Sequence, residues 1–125
     1  MKVKGQVGTG HLPKIVLEPG PNKYVLVFAA DPGTGKQEVF VRSSAAAQYH
    51  IDAAGLLVAE LLGLRYECVG VVGGGRILVD EESRKVVVHG YSYGFGRADH
   101  RQTAAAIRRC DEFKGWDVSW NNEGY

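Results

Sequence analysis

The hydrophobic pattern alternates between two periods. "KYVLVFA" (residues 23–29) is a continuous apolar run and predicts a buried strand, and "EVFVR" (residues 38–42) a second one. "DPGTGK" between them is a loop that would let the two pair as a hairpin. The period then changes to that of a helix. Within "SAAAQYHIDAAGLLVAELLG", residues Ile51, Ala54, Val58, Leu61 and Leu62 fall on one face, and Gly63 suits a C-terminal stop. The start of this helix is open between Ser44 and His50. "RYECVGVV" predicts a strand, and "RILVD" with "KVVVHG" a hairpin turning through "EESR". "YSYGFG" is a glycine-rich loop. A second helix spans roughly residues 99–109, with Asp99 as its cap and Arg108 and Arg109 in its last turn, where cations suit the helix dipole. "WDVSW" is a last strand. The "EPGPN" segment reads as a turn, and residues 1–14 as a flexible arm ahead of one domain over residues 15–125. These elements predict an α+β domain, a mixed sheet of about five or six strands with two main helices.

Three consecutive glycines, Gly73, Gly74 and Gly75, lie between two of these apolar runs, "RYECVGVV" and "RILVD", directly before Arg76. Glycine weakens a strand and leaves nothing to pack. Their presence implies that something approaches the backbone closely there. One reading is the close approach of an outside group; the other is a β-bulge or sheet bend with Arg76 merely solvated.

Composition narrows the functional classes. The chain has 125 residues with 15 basic and 14 acidic side chains, a net charge of +1, which argues against a polyanion such as nucleic acid as main partner. No stretch approaches the ~18 apolar residues of a membrane span, and the first residues lack the apolar core of a secretory signal. A cytoplasmic, monomeric protein is the expectation. Cys68 and Cys110 form no zinc-like or disulfide-framework spacing and read as core thiols.

Three motif-like stretches fall short of the chemistry they suggest. "GYSYG" matches a nucleophile elbow, yet Asp99 and His100 are adjacent and the chain is too short for that fold. "DPGTGKQ" lacks the first glycine and the final Ser or Thr of a phosphate loop. "GVVGGG" is followed by a strand pattern rather than a helix, so it is not a dinucleotide fingerprint. The four histidines show no metal-ligand spacing. What remains is an anion-binding assembly. Lys23 opens one strand, Arg42 closes another, Arg76 follows the glycines, and His50 starts a helix. Ser92 and Gly94 sit in a loop able to present successive N–H groups.

Those residues carry a resemblance. "QYHIDAAG", "YECVGVVGGGRI", "VVVHGYSYGFGRADH" and the terminal "WDVSWNNEGY" together resemble the 14-kDa phosphohistidine phosphatase family, which includes the janus-type proteins, over about residues 23–125. The resemblance implies a protein-histidine phosphatase that uses no metal or other cofactor. Its substrates would be phosphohistidine-containing proteins, with inorganic phosphate as product. His50 would be the base or nucleophile and Arg76 its catalytic partner. Lys23, Arg42, Gly73, Tyr91, Ser92, Gly94 and His100 would surround the phosphate, and the three glycines would let a phosphorylated side chain approach the backbone beside Arg76. Animal members carry a Met-Ala pair after the loop serine, where this chain has Tyr93-Gly94.

Overall fold

The computed structural model describes residues 3–4, 12–46 and 49–123. One mixed sheet organises the chain. Its strands are β1 (Val3–Lys4), β2 (Ile15–Leu17), β3 (Gly20–Ala30), β4 (Gln37–Ser44), β5 (Glu67–Asp80), β6 (Lys85–His89) and β7 (Asp117–Trp120). They lie in the order β1-β2-β4-β3-β5-β6-β7. The β2–β4 and β6–β7 pairs are parallel and the rest antiparallel. Helix α1 (His50–Gly63) covers one face and α2 (His100–Arg108) the other. The α+β class and mixed sheet expected from the sequence are those observed. The expected arm over residues 1–14 falls largely outside the described residues.

The unbroken apolar run of β3 has a simple cause. β3 is central and covered on both faces, so Tyr24, Val25, Leu26 and Val27 are all fully buried. Side chains alternate across a strand. Tyr24 and Leu26 therefore join Ile77, Val88 and Ile107 beneath α2, and Val25 and Val27 join Phe40, Leu57 and Leu61 beneath α1. The hairpin of β3 with β4 forms as expected.

Four details differ from the sequence pattern. The glycines do not separate two strands: β5 runs continuously through them, with a register shift opposite Leu26 and Val27. The "EPGPN" turn is tighter than expected, because Gly20 already pairs with Val79. Helix α1 turns His50, Ala54, Leu57 and Leu61 inward and leaves Ile51 and Leu62 exposed. Apolar residues occupy most of its circumference, so periodicity alone selects no inward face. Cys110 is a core thiol, but Cys68 is exposed. The second helix matches its expected cap, since the Asp99 carboxylate accepts from the N–H groups of Arg101 and Gln102.

Candidate active site

The sheet brings four chain segments to one point above the centre of β5. In the β3–β5 ladder Lys23 lies directly opposite Arg76, so the two basic residues share a face. That face also receives the first residue of α1. His50 is only 4% exposed, and its Nε2 lies 2.7 Å from the Gly75 carbonyl oxygen. A carbonyl can only accept, so Nε2–H donates and the neutral ring keeps its lone pair on Nδ1. Burial holds the His50 pKa below the usual histidine range; the Gly75 hydrogen bond opposes this, and the positive charges of Lys23 and Arg76 add to it. The imidazole therefore stays neutral beside two cations. No described residue pairs a carboxylate with it by hydrogen bond.

The glycines acquire their meaning from what touches them. A Cβ on Gly74 would stand 2.9 Å from His50 Cδ2 and 3.1 Å from Ser92 Cβ. One on Gly75 would point to the other face, 2.6 Å from His100 Cε1 and 3.0 Å from Tyr24 Cε1. One on Gly73 would meet the Ala98 backbone at 2.6 Å. The room left by the missing side chains is thus filled by the protein's own histidines and loop. It is not an opening for a phosphorylated side chain, and Gly73, expected at the phosphate, is covered by Ala98.

The loop after β6 is clamped against the same point. The Gly96 carbonyl accepts from both Gly74 and Ser92 N–H groups, and the Gly74 carbonyl accepts from Ala98 N–H. Within the turn, Ser92 Oγ accepts from Phe95 N–H at 3.0 Å, and Gly96 N–H donates to the Ser92 carbonyl. The main-chain donors of Ser92, Phe95 and Gly96 are therefore engaged internally. Ser92 is buried beside His50 through Gly74, Tyr91 is half-buried, and Gly94 is exposed at the tip.

Two expected site residues lie elsewhere. Arg42 faces α1, but its guanidinium donates to the carbonyls of Pro13, Lys14 and Val41. It lines a cavity of about 350 Å³ that includes Leu12, Asp52 and Glu60, and none of His50, Lys23 or Arg76. Burial lowers its pKa to about 10, with Glu60 opposing the shift. Its charge ties the segment before β2 to the sheet. His100 is 1% exposed on the opposite face. Its Nε2–H donates to the Gly90 carbonyl at 2.7 Å, and its Nδ1 accepts from the Tyr24 hydroxyl at 2.6 Å. Tyr24 O–H also lies 3.1 Å from Thr103 Oγ1. Sequence spacing gave no sign of this buried network, because its members come from β3, the loop after β6 and α2.

The described residues hold no cluster of three or more histidine, cysteine or acidic side chains able to bind a metal ion. No described helix is long and apolar enough to cross a membrane. Fold and site together define a small α+β domain with a buried neutral histidine flanked by two cations and a clamped glycine-rich loop.

Comparison with known proteins places that domain. Residues 9–117 match the Janus/Ocnus family model, and the chain belongs to that family. It is 34% identical over 113 residues to a protein named 14 kDa phosphohistidine phosphatase from Sus scrofa, covering 85% of this chain and 86% of that one. It is 35% identical over 117 residues to sex-regulated protein janus-A of Drosophila melanogaster, covering 91% and 82%. Janus-B of Drosophila orena is 29% identical over 113 residues, covering 89% and 79%.

Proposed function

We propose that this protein is a protein-histidine phosphatase that hydrolyses the P–N bond of phosphohistidine in protein substrates, releasing inorganic phosphate. One observation carries the reading: His50 Nε2–H is tied to the Gly75 carbonyl while burial and two cations keep the ring neutral. A residue that only bound phosphate would gain from a proton on that ring. A base or nucleophile needs the lone pair instead. The similarity to a named phosphohistidine phosphatase supports the same reaction.

In this reading Lys23 and Arg76 hold the phosphoryl oxygens, with the N–H of Gly94 as a further donor. Phosphoryl transfer spreads charge over those oxygens, so positioning and electrostatics supply most of the rate. Arg76 suits the group because a planar guanidinium can bond two oxygens at once. Two routes use the same nitrogen. In one, water attacks phosphorus and its proton passes to Nδ1 of His50. In the other, Nδ1 attacks phosphorus directly, and water later cleaves the new P–N bond. In both, the bond to the substrate imidazole breaks with its electron pair going to that imidazole nitrogen, which takes up a proton. Phosphate found on His50 at Nδ1, forming and decaying within a turnover in rapid-quench NMR, selects the second route.

The deciding experiment measures phosphate release from phosphoramidate and from phosphohistidine with EDTA present. His50→Ala is expected to lower kcat by about 10²–10⁴. Equal rates for both proteins would leave a phosphate-recognition module without catalysis, a role compatible with the janus relatives, whose names carry no activity.

A further inference from the structure

Three basic side chains stand in one row across the sheet. In the β3–β5 ladder Lys23 pairs with Arg76, and in the β5–β6 ladder Arg76 pairs with His89. Paired residues point to the same face, with Cβ atoms about 4.5–5.5 Å apart. The alternation along β6 agrees. Val86 and Val88 enter the core beneath α2, so Val87 and His89 point to the other face. That is the face on which His50 lies over Gly74, two residues before Arg76. Gly74 and His89 are therefore diagonal neighbours, and such positions lie about 7–8 Å apart. His89 is half-buried, and its ring makes no hydrogen bond or ion pair with any described residue. Like charges directly opposite one another weaken a sheet, so packing alone does not favour a histidine beside Arg76.

We propose that His89 is a catalytic residue, the general acid that protonates the imidazole leaving from phosphorus. The inference rests on the phosphatase reading above. When the P–N bond breaks, its electron pair returns to the leaving ring, which departs as neutral imidazole only if it gains one proton. The group that supplies the proton must face the phosphoryl site and exchange protons near neutral pH. Arginine and lysine side chains hold theirs too tightly there, and histidine does not. His50 is occupied in both routes, its Nε2–H on the Gly75 carbonyl and its Nδ1 in the attack. His100 lies across the sheet with both ring nitrogens bonded. Of the described histidines, His89 is the one that faces the site with its ring unbonded. In-line displacement places the attacking and leaving atoms on opposite sides of phosphorus. With His50 over Gly74 and the phosphoryl group held at Lys23 and Arg76, the leaving ring emerges on the side away from His50, within reach of the third member of the row. His89 passes its proton to that ring and regains one from water.

The test compares two substrates at neutral pH, phosphoramidate and free histidine phosphorylated on Nε2. The nitrogen of phosphoramidate is already protonated in water, so its departure as ammonia needs no general acid. For His89→Gln and His89→Asn, kcat for phosphohistidine is expected to fall about tenfold or more, since a positioned general acid contributes typically 10²–10⁴-fold. Their kcat for phosphoramidate should stay within about twofold of wild type, the usual range for changes outside the core. Thermal melts of both variants should match wild type, because the ring is half-buried and unbonded. Val87→Thr, two residues earlier on the same face of β6, is the control and should change neither rate. An unchanged rate for phosphohistidine overturns the role of His89 while leaving the phosphatase reading intact. An equal loss on both substrates also overturns it, by showing that His89 holds the phosphoryl group instead of protonating the leaving ring. So does the same loss in Val87→Thr, by showing a general disturbance of β6. A wild type that releases phosphate from neither substrate removes both the phosphatase reading and the general acid.

Discussion

Gly74→Ala and Gly75→Ala test the arrangement at its centre, because adjacent residues of one strand face opposite helices. On Gly74 the new methyl would lie 2.7 Å from the Tyr24 carbonyl oxygen, 2.9 Å from His50 Cδ2 and 3.1 Å from Ser92 Cβ. Relaxed contacts lie near 3.5 Å or beyond, so something must move by roughly half an ångström. The Tyr24 carbonyl is fixed in the sheet. The His50 ring is held by its torsions and by one hydrogen bond of 2.7 Å to Gly75, so the ring gives way. Overpacking of this kind costs about 1–3 kcal/mol of stability. For a domain of this size that lowers Tm by about 4 °C per kcal/mol. Displacing a catalytic group by a fraction of an ångström to 1 Å lowers kcat by up to about 10²-fold. On Gly75 the methyl would meet the His89 carbonyl at 2.5 Å and His100 Cε1 at 2.6 Å, in the core beneath α2. That variant should lose at least as much stability. Its kcat should suffer less, because the methyl points away from the His50 ring. Thermal melts and phosphoramidate kinetics on the two proteins check this. If Gly74→Ala keeps both wild-type kcat and wild-type Tm, the close approach of His50 to β5 is refuted. If Gly75→Ala is the one that loses kcat selectively, the assignment of faces is refuted.

Further expectations concern charge and protonation. Burial holds both His50 and His100 below the usual histidine pKa of about 6.5. Below about pH 6.5 the unfolded chain then binds more protons than the folded one, so stability falls as pH drops through that window. Urea titrations at pH 7.5 and 5.5 should show the midpoint falling at the lower pH, and a constant midpoint would contradict both burials. Since the base form of His50 persists to lower pH, the acid limb of kcat/KM should lie below 6.5 in a pH–rate profile. Arg42→Met breaks three hydrogen bonds to carbonyls and should lower Tm while leaving KM for phosphoramidate unchanged; a raised KM would return Arg42 to the phosphate site. His100→Phe removes the acceptor of the Tyr24 hydroxyl and the donor to Gly90. It should destabilise the fold by about 1–3 kcal/mol for the polar groups left unpaired, with the folded fraction retaining its pH–rate profile.

The element types were legible from local rules. The β3 and β6 runs, the second helix and its Asp99 cap were all readable, because strand burial, helical spacing and capping depend on neighbours within a few residues. The pairing of Lys23 with Arg76 was not, since it depends on a ladder register between residues far apart in sequence. Arg42 and His100 looked alike to Lys23 and His50 as residue types at strand ends and helix starts. The sheet separates them. Arg42 is drawn to carbonyls of the segment before β2, and His100 is turned through the sheet to the other core.

By itself the sequence determined that a small α+β domain forms, that three glycines admit close neighbours, and that the chain resembles one family along most of its length. Only the tertiary structure decided which neighbours those are. The alternation of a pleated strand sends consecutive residues to opposite faces, so Gly74 accommodates the histidine of the site and Gly75 a histidine of the core. Local spacing and periodicity do not distinguish the two histidines, because the difference is one of side of the sheet. That side also determines the free nitrogen of His50, through a backbone carbonyl that every residue possesses and that only the fold aims at the ring.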